Sequence, residues 1–468
     1  MPSITEKLYD EQSSIKSTTY FIRQFKLGAD LKRAGAYKQK GVSVITVISY
    51  LISLVYIGKS MHRDMRSANP FAQGFQKDVV YRFLNQAKVN WQLLLLSVAS
   101  KVVAEFDRLT SSERLSAFII DDTFYPALYA KATELVSLVH DHAEKGKNKF
   151  KWGFRMLTLC WTDGVSLVPL AYRHLASSDV KKQRRESKPG PDKRSRAYRI
   201  RKEAVSKATE VLLLQLKAAV KAGIAAKHVL FDSWFAYPVT IMKICAMNLH
   251  VTARVKDATT IKYLVNGEKK TAKEIYRENR KRRGRSRYLL SVPVMLYATE
   301  GNKEVTTPAG LVYVRNRAKR SEWIAILTTD MALTEEEVVA LYGKRWNIEV
   351  FFKICKSYLK LSKEFQQLSY DAITAHTAIV MIRYTILSVE KRKQEDPRSL
   401  GELFYVSFEE AADVKFEQAI LLIMSLLADT LREEHLGLTE KQMENLMDSF
   451  IEKLPPSISA CLRPNHAA

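Results

Sequence analysis

Two short apolar runs that each stop at an acid constrain the fold of this chain more than any other feature. Residues 115–120 (LSAFII) lead into Asp121, Asp122 and Thr123, and residues 227–231 (KHVLF) lead into Asp232, Ser233 and Trp234. An apolar run of this length without polar alternation predicts a strand covered on both faces, in a sheet with helices packed on it. Singly, an acid at a strand end is most often a turn residue or a helix cap. Two such strands in one chain raise the question of a shared role for their acids.

The segments around these strands predict a mixed fold. Residues 154–161 and 166–172 are split by Thr162, Asp163 and Gly164, the pattern of an antiparallel hairpin with an Asp-Gly turn. Trp152 and Trp161 fall in this hairpin and are expected in the core or on a sheet face. Residues 181–202 hold eleven Lys or Arg against two acids, with Pro189, Gly190 and Pro191 in the middle. This reads as a basic loop leading into a helix that ends near Ala222, either a solvated charge run or a DNA contact. A helix follows from Pro238 to about Met247. Residues 250–329 are strand-like, punctuated by Gly267, Gly284, Gly301 and Pro308, with a second basic stretch at 277–287.

The two ends of the chain read as helical. Residues 93–107 are leucine-rich at helical spacing, and Gly58, Asn69, Pro70 and Gly74 separate short helices before them. Residues 42–57 are uncharged and apolar but fall short of the roughly 20 residues of a spanning helix, so they are expected to be buried in protein. Thr334 and Glu337 form a capping-box start for a long helix. Beyond it the pattern stays helical, with acid pairs at Glu409–Glu410 and Glu433–Glu434 and an apolar run at 421–427.

The long helix carries a stripe. Tyr342, Arg345, Glu349 and Lys356 fall within roughly a 60° arc if the helix is continuous. The bland reading is a helix that salt-bridges its own surface. The alternative is an acid for a metal, with Arg345 to fork onto a phosphate and Tyr342 and Lys356 to contact others.

Charge favours the second reading. The net charge of +24 suits a polyanionic partner, of which nucleic acid is the commonest. Hydrophobic content of 47% places the chain among folded proteins. The four cysteines (Cys160, Cys245, Cys355, Cys461) are widely spaced, which argues against a zinc ribbon or a disulfide framework and for a reducing cytosol. The N-terminal segment lacks a signal-peptide apolar core, and no membrane partner is expected. His140, Asp141 and His142 could ligate a metal, but a polar loop cluster is the plainer reading.

Three carboxylates from separate elements suit a site for two divalent cations. Hard oxygen ligands favour Mg²⁺ or Mn²⁺ over zinc. One cation activates the attacking water or 3′-hydroxyl and the other stabilises the leaving oxygen.

These residues resemble a known family. Tyr342, Arg345, Glu349 and Lys356 match the Tyr-(2)-Arg-(3)-Glu-(6)-Lys signature of bacterial insertion-sequence transposases with an Asp-Asp-Glu site, and the flanking Trp346, Asn347, Phe352 and Lys353 are similar too. The resemblance covers about residues 115–390. It implies an α/β fold: a ribonuclease-H-like catalytic core with an inserted mainly-β domain, flanked by N- and C-terminal helical regions. It also implies Asp232 as the second Asp and Glu349 as the Glu. The first is Asp121, or Asp122 as the alternative; on a strand the two point to opposite faces. Asp121, Asp232 and Glu349 would then ligate the metals. Trp323 resembles a tryptophan that stacks on a flipped base during DNA hairpin formation.

The domains expected on this basis are 1–114 (helical, DNA-binding), 115–248 (first part of the core), 249–330 (β insertion), 331–390 (second part of the core) and 391–468 (helical, dimerisation or synapsis). The implied activity is binding of terminal inverted repeats, cleavage at the element ends and joining of 3′-hydroxyls to target DNA. The implied partners are double-stranded DNA and a second copy of the chain, in a bacterial cytoplasm. The rival readings are a metal-dependent nuclease without strand transfer and a domesticated, non-catalytic DNA-binding protein.

Overall fold

The fold is described from a computed structural model, over residues 16–57, 61–66, 75–109, 114–141, 149–187, 192–256, 258–279, 288–300, 303–315, 322–365, 367–393, 400 and 440–453. Outside them lie His142, the Pro189–Pro191 turn, Gly58, Asn69, Pro70, Gly74, Gly284, Gly301, the basic residues 280–287, the acid pairs at 409–410 and 433–434, the apolar run at 421–427 and most of 391–468.

Among the described residues six α-helices come first: α1 (Lys16–Gln24), α2 (Leu27–Arg33), α3 (Val44–Ser53), α4 (Met61–Arg66), α5 (Lys77–Leu84) and α6 (Trp91–Arg108). Their starts are set by side-chain caps where the sequence offers them. Ser43 accepts from the Thr46 amide, and Asn90 from the Leu93 amide. Residues 44–57 are helical, with a 3₁₀ turn over Leu54–Ile57, and most of their side chains are buried in protein.

Strands β1 (Ala117–Pro126), β2 (Ser137–His140), β3 (Phe150–Thr162) and β4 (Leu167–Leu175) follow, then helices α7 (Arg196–Ala204) and α8 (Ala208–Lys221). The β3–β4 turn has Gly164 at φ 95°, a backbone conformation that suits glycine. Asp163 Oδ1 closes the turn by accepting from the amides of Val165 and Ser166 at 2.9 and 2.7 Å. Next are β5 (His228–Phe231), α9 (Pro238–Cys245), β6 (His250–Arg254), β7 (Tyr263–Val265), β8 (Glu268–Lys270), α10 (Ala272–Asn279), β9 (Tyr288–Glu300), β10 (Lys303–Arg315) and β11 (Trp323–Thr328). The last described helices are α11 (Glu335–Gly343), α12 (Trp346–Ser357), α13 (Tyr370–Lys393) and α14 (Glu440–Lys453). Thr334 and Glu337 form the capping box of α11.

All eleven strands join one mixed sheet. β4 pairs antiparallel with β3 and β3 with β1, while β1 is parallel to β5 and β5 to β6. The strands between Asp232 and Glu349 continue this sheet, because β11 pairs antiparallel with β6. Two details depart from the sequence reading. β1 does not stop at its acids but runs on to Pro126, because β3 pairs with it along its whole length. The helix begun at the capping box is also two helices, with a joint at Lys344–Arg345.

Helix α13 is the hub. It is long and apolar enough to cross a membrane by length and composition, yet its apolar window is wholly buried in the fold. Its charges are absorbed by partners. Arg383 is fully buried, donates to the carbonyls of Ile52, Leu51 and Leu359, and pairs with Glu364. Asp371, with Glu134, receives Arg201 from α7 at 2.6–2.8 Å. One contiguous apolar cluster therefore runs from the N-terminal helices through α13 to the sheet.

Candidate active site

Strands β1 and β5 bring the two predicted acids together. Their parallel register pairs Ala117 with His228, Phe118 with Val229 and Ile119 with Leu230. Carried on by two residues, it sets Asp121 beside Asp232. The residues before the acids, Phe118–Ile120 and Val229–Phe231, are fully buried, so each strand is held firmly up to the point where its carboxylate emerges. Asp232 Oδ1 accepts from the Trp234 amide at 2.9 Å, which fixes the turn after β5.

Glu349 reaches these acids through an arginine. Arg345 Nη1 donates to Asp121 Oδ2 at 2.8 Å, and Nη2 to Glu349 Oε1 at 2.5 Å. One guanidinium thus bridges a strand carboxylate and a helix carboxylate. The Asp121 carboxyl is pushed up to about 7, first by burial and then by the charges of Asp232 and Asp122, against the pull of Arg345. Burial works against the charge on Arg345 itself, but Tyr342, Asp121 and Glu349 outweigh it and hold its pKa above the ordinary range.

Asp121 and Asp122 lie side by side within β1, so they face opposite ways. Asp121 faces α12 and receives Arg345. Asp122 forms an ion pair with Arg155 of β3, and its amide donates to Asp121 Oδ1 at 2.8 Å. Thr123, on the same face of β1 as Asp121, accepts from Lys356 Nζ at 2.7 Å.

The stripe is bent by the joint between α11 and α12. Lys344, Arg345, Asn347 and Ile348 bond three residues back instead of four, which tightens the turn. Tyr342 on the last turn of α11 packs partly against Val312, Ile326 and Val338. Its phenol is pushed up by burial and by Asp232, against Arg345 and Arg254. The Arg345 guanidinium lies 5.9 Å from the Tyr342 ring centre. All four stripe residues therefore gather around Asp121, Thr123 and Asp232. Trp323 makes no described contact with this group: its ring packs against Tyr276 and Tyr313 at 5.1 and 5.0 Å. His140 is stacked edge-on against Phe150, and Asp141 pairs with Lys151 at 3.4 Å.

The donor set suits a hard divalent cation, being all carboxylate, and Asp121 feels repulsion from two further acids that a cation would relieve. Arg345 supplies positive charge there. Among the described residues, no three His, Cys, Asp or Glu side chains stand close enough to form a ready-made metal cluster.

Several residues escape the sequence reading. Arg155 is the one charge in the apolar span 152–162 of β3, and that isolation is its signal. Trp234 follows Asp232 by two residues and is 42% exposed. Lys256 donates to the Tyr237 hydroxyl at 3.1 Å, and nothing in its local pattern marks it.

None of the curated proteins compared with the chain matches it. The model of the DDE superfamily endonuclease family matches residues 58–326, more than half of the 468-residue chain. The match takes in Asp121 and Asp232 and ends before Glu349. A mixed sheet flanked by helices, with an acid inside β1 beside one just after β5, fits an α/β nuclease of that kind. The chain belongs to the DDE superfamily endonucleases.

Proposed function

We propose that the protein is a DNA transposase of the insertion-sequence group with the Tyr-Arg-Glu-Lys signature. It binds terminal inverted repeats, cleaves DNA at the element ends and joins the 3′-hydroxyls to target DNA. A cut-and-paste route with a hairpin intermediate is part of this reading, as is a homodimer that brings two ends together. Membership of an endonuclease family implies DNA as substrate. The observations that support the finer reading are the parallel register that sets Asp121 beside Asp232 and the Arg345 guanidinium that links Asp121 to Glu349.

The strand order β4-β3-β1-β5-β6, antiparallel then parallel, supports a ribonuclease-H-like core. On this reading β7 to β11 and α10 form the insertion, 1–114 a DNA-binding region and 391–468 a dimerisation region. The cytoplasm, where such DNA is found, is the proposed location.

Asp121, Asp232 and Glu349 would hold two Mg²⁺ or Mn²⁺. When bound, these ions supply the activated water or 3′-hydroxyl and stabilise the leaving oxygen. Asp122 takes the positioning role, orienting Arg155 and donating its amide to Asp121. Arg345 would fork onto a DNA phosphate once the carboxylates no longer need it. Tyr342 and Lys356 would contact neighbouring phosphates, and Trp323 would stack on a flipped base.

The test is cleavage of a duplex carrying the inverted repeat that flanks the gene. Asp232→Ala and Glu349→Ala should abolish Mg²⁺- or Mn²⁺-dependent cleavage and spare end binding. Variants that still cut would overturn the assignment. Joining of pre-cleaved ends to target DNA separates a transposase from a nuclease that only cuts.

A further inference from the structure

The turn that follows Asp232 carries two exposed aromatic side chains that the chemistry above does not use. Trp234 is 42% exposed and Tyr237 is 38% exposed. Cations hold both. The Arg155 guanidinium lies 5.0 Å from the Trp234 ring centre, and Lys256 Nζ lies 5.1 Å from it and 5.2 Å from the Tyr237 ring. Lys256 also donates to the Tyr237 hydroxyl at 3.1 Å. The indole and one of its clamps are tied back to the acids. Arg155 is ion-paired with Asp122, and the Trp234 amide donates to Asp232.

An indole left in water gains nothing from burial, but two cations on its ring fix its orientation. A fixed, accessible ring loses little freedom when a flat partner stacks on it. The flanking charges select the partner. Arg155 and Lys256 repel a basic peptide and attract a group that joins a flat ring to an anion. A nucleotide has both parts, and the ring lies beside one of the acids that would act on its phosphate.

We infer that Trp234, Tyr237, Lys256 and Arg155 form a nucleotide subsite that stacks an unpaired DNA base next to the scissile phosphate. The indole takes the base and Lys256 the adjoining phosphate. The position of this subsite rests on the reading of Asp121 and Asp232 as the DNA-cleaving acids. Its stacking chemistry does not.

The experiment uses the full chain in EDTA and measures its affinity for an oligodeoxythymidine strand and for an abasic strand of the same length. Wild type should prefer the base-bearing strand by about five- to a hundredfold, the range contributed by stacking one base on an aromatic ring. Trp234→Ala should lose that preference, and Trp234→Phe should keep most of it. Lys256→Ala should weaken both strands alike. A preference that survives Trp234→Ala in a variant with unchanged thermal unfolding overturns the proposal. Absence of base preference in wild type also overturns it. A wild-type chain that shows the preference yet never cleaves DNA leaves the subsite standing and removes the catalytic reading.

Discussion

Arg345 Nη1 stands 2.8 Å from Asp121 Oδ2 while its other terminal nitrogen holds Glu349, so one side chain stitches α12 to β1. The contact satisfies two carboxylates with a charge the protein carries itself. It also keeps the acids close without drawing them into collapse, because a planar guanidinium spaces its two partners. The same side chain is the phosphate-binding candidate, so the resting contact and the proposed working contact compete for one group.

Removing that group should have a modest, pH-dependent cost. Arg345→Ala strands Asp121, but a carboxyl already pushed up to about 7 can take a proton instead. We expect a loss of about 1–2 kcal/mol at pH 6 and a larger one at pH 9, below the roughly 3–5 kcal/mol of a fully buried pair. Urea unfolding in EDTA at the two values measures this. Equal losses at both would show that Asp121 does not titrate as the geometry requires. Arg345→Lys keeps charge but cannot fork, and should recover only part.

Asp121 itself should weaken the fold when ionised. Its carboxyl sits at about 7 in the folded protein and near 3.9 in an unfolded chain. Its contribution is therefore fully present below about pH 4 and lost as pH rises through about 7. The raised value already includes the help of Arg345. Asp121→Asn mimics the neutral acid, so its melting temperature should exceed that of wild type by a small margin near pH 5 and by a larger one at pH 8.5. Parallel melting curves for the two proteins across that range would refute the argument.

These relationships differ in how far the sequence reveals them. Asp121 and Asp232 are readable because an unbroken apolar run that meets an acid allows one place for the acid. Their adjacency is not, since it depends on the parallel register of strands more than a hundred residues apart. The capping box at Thr334 is local and legible; the joint at Lys344–Arg345 is not, because helical periodicity passes over it and Gly343 is its only local sign. The choice between Asp121 and Asp122 needs their opposite partners, Arg345 and Arg155, and both are non-local. In one dimension only Trp323 is marked for stacking, by its resemblance to the family, and nothing singles out Trp234. In three, Trp234 adjoins Asp232 while Trp323 packs on Tyr276 and Tyr313.

The two neighbouring aspartates should separate cleanly in activity. Asp121→Ala removes a proposed metal ligand and should cost cleavage about a thousandfold, since metal stabilisation is worth several kcal/mol. Asp122→Ala leaves the ligands in place and frees Arg155, so its loss should be about tenfold, an effect worth about 1.4 kcal/mol. Single-turnover cleavage with Mn²⁺ compares them directly. The reverse ranking would assign the first metal ligand to Asp122.

The N-terminal helices should depend on a single buried cation. Arg383, on α13, donates to the carbonyls of Ile52, Leu51 and Leu359 and pairs with Glu364, itself bonded to His376 at 3.3 Å. Burial would raise the Glu364 carboxyl, but Arg383 and His376 outweigh it and hold it below the ordinary range. Arg383→Met keeps bulk but leaves Glu364 without its main cation and three carbonyls without a donor. We expect a loss of about 3–5 kcal/mol at pH 7.5 by urea unfolding. The depressed carboxyl makes its contribution above the unfolded value of about 4.3 and loses it as pH falls through the folded value. The gap between wild type and variant should therefore hold from pH 7.5 to about 5 and narrow below about 4. Adding Glu364→Gln to the variant should restore part of the loss, because the stranded charge is then gone. A single variant as stable as wild type at pH 7.5 would mean that Arg383 does not tie the N-terminal helices to the core.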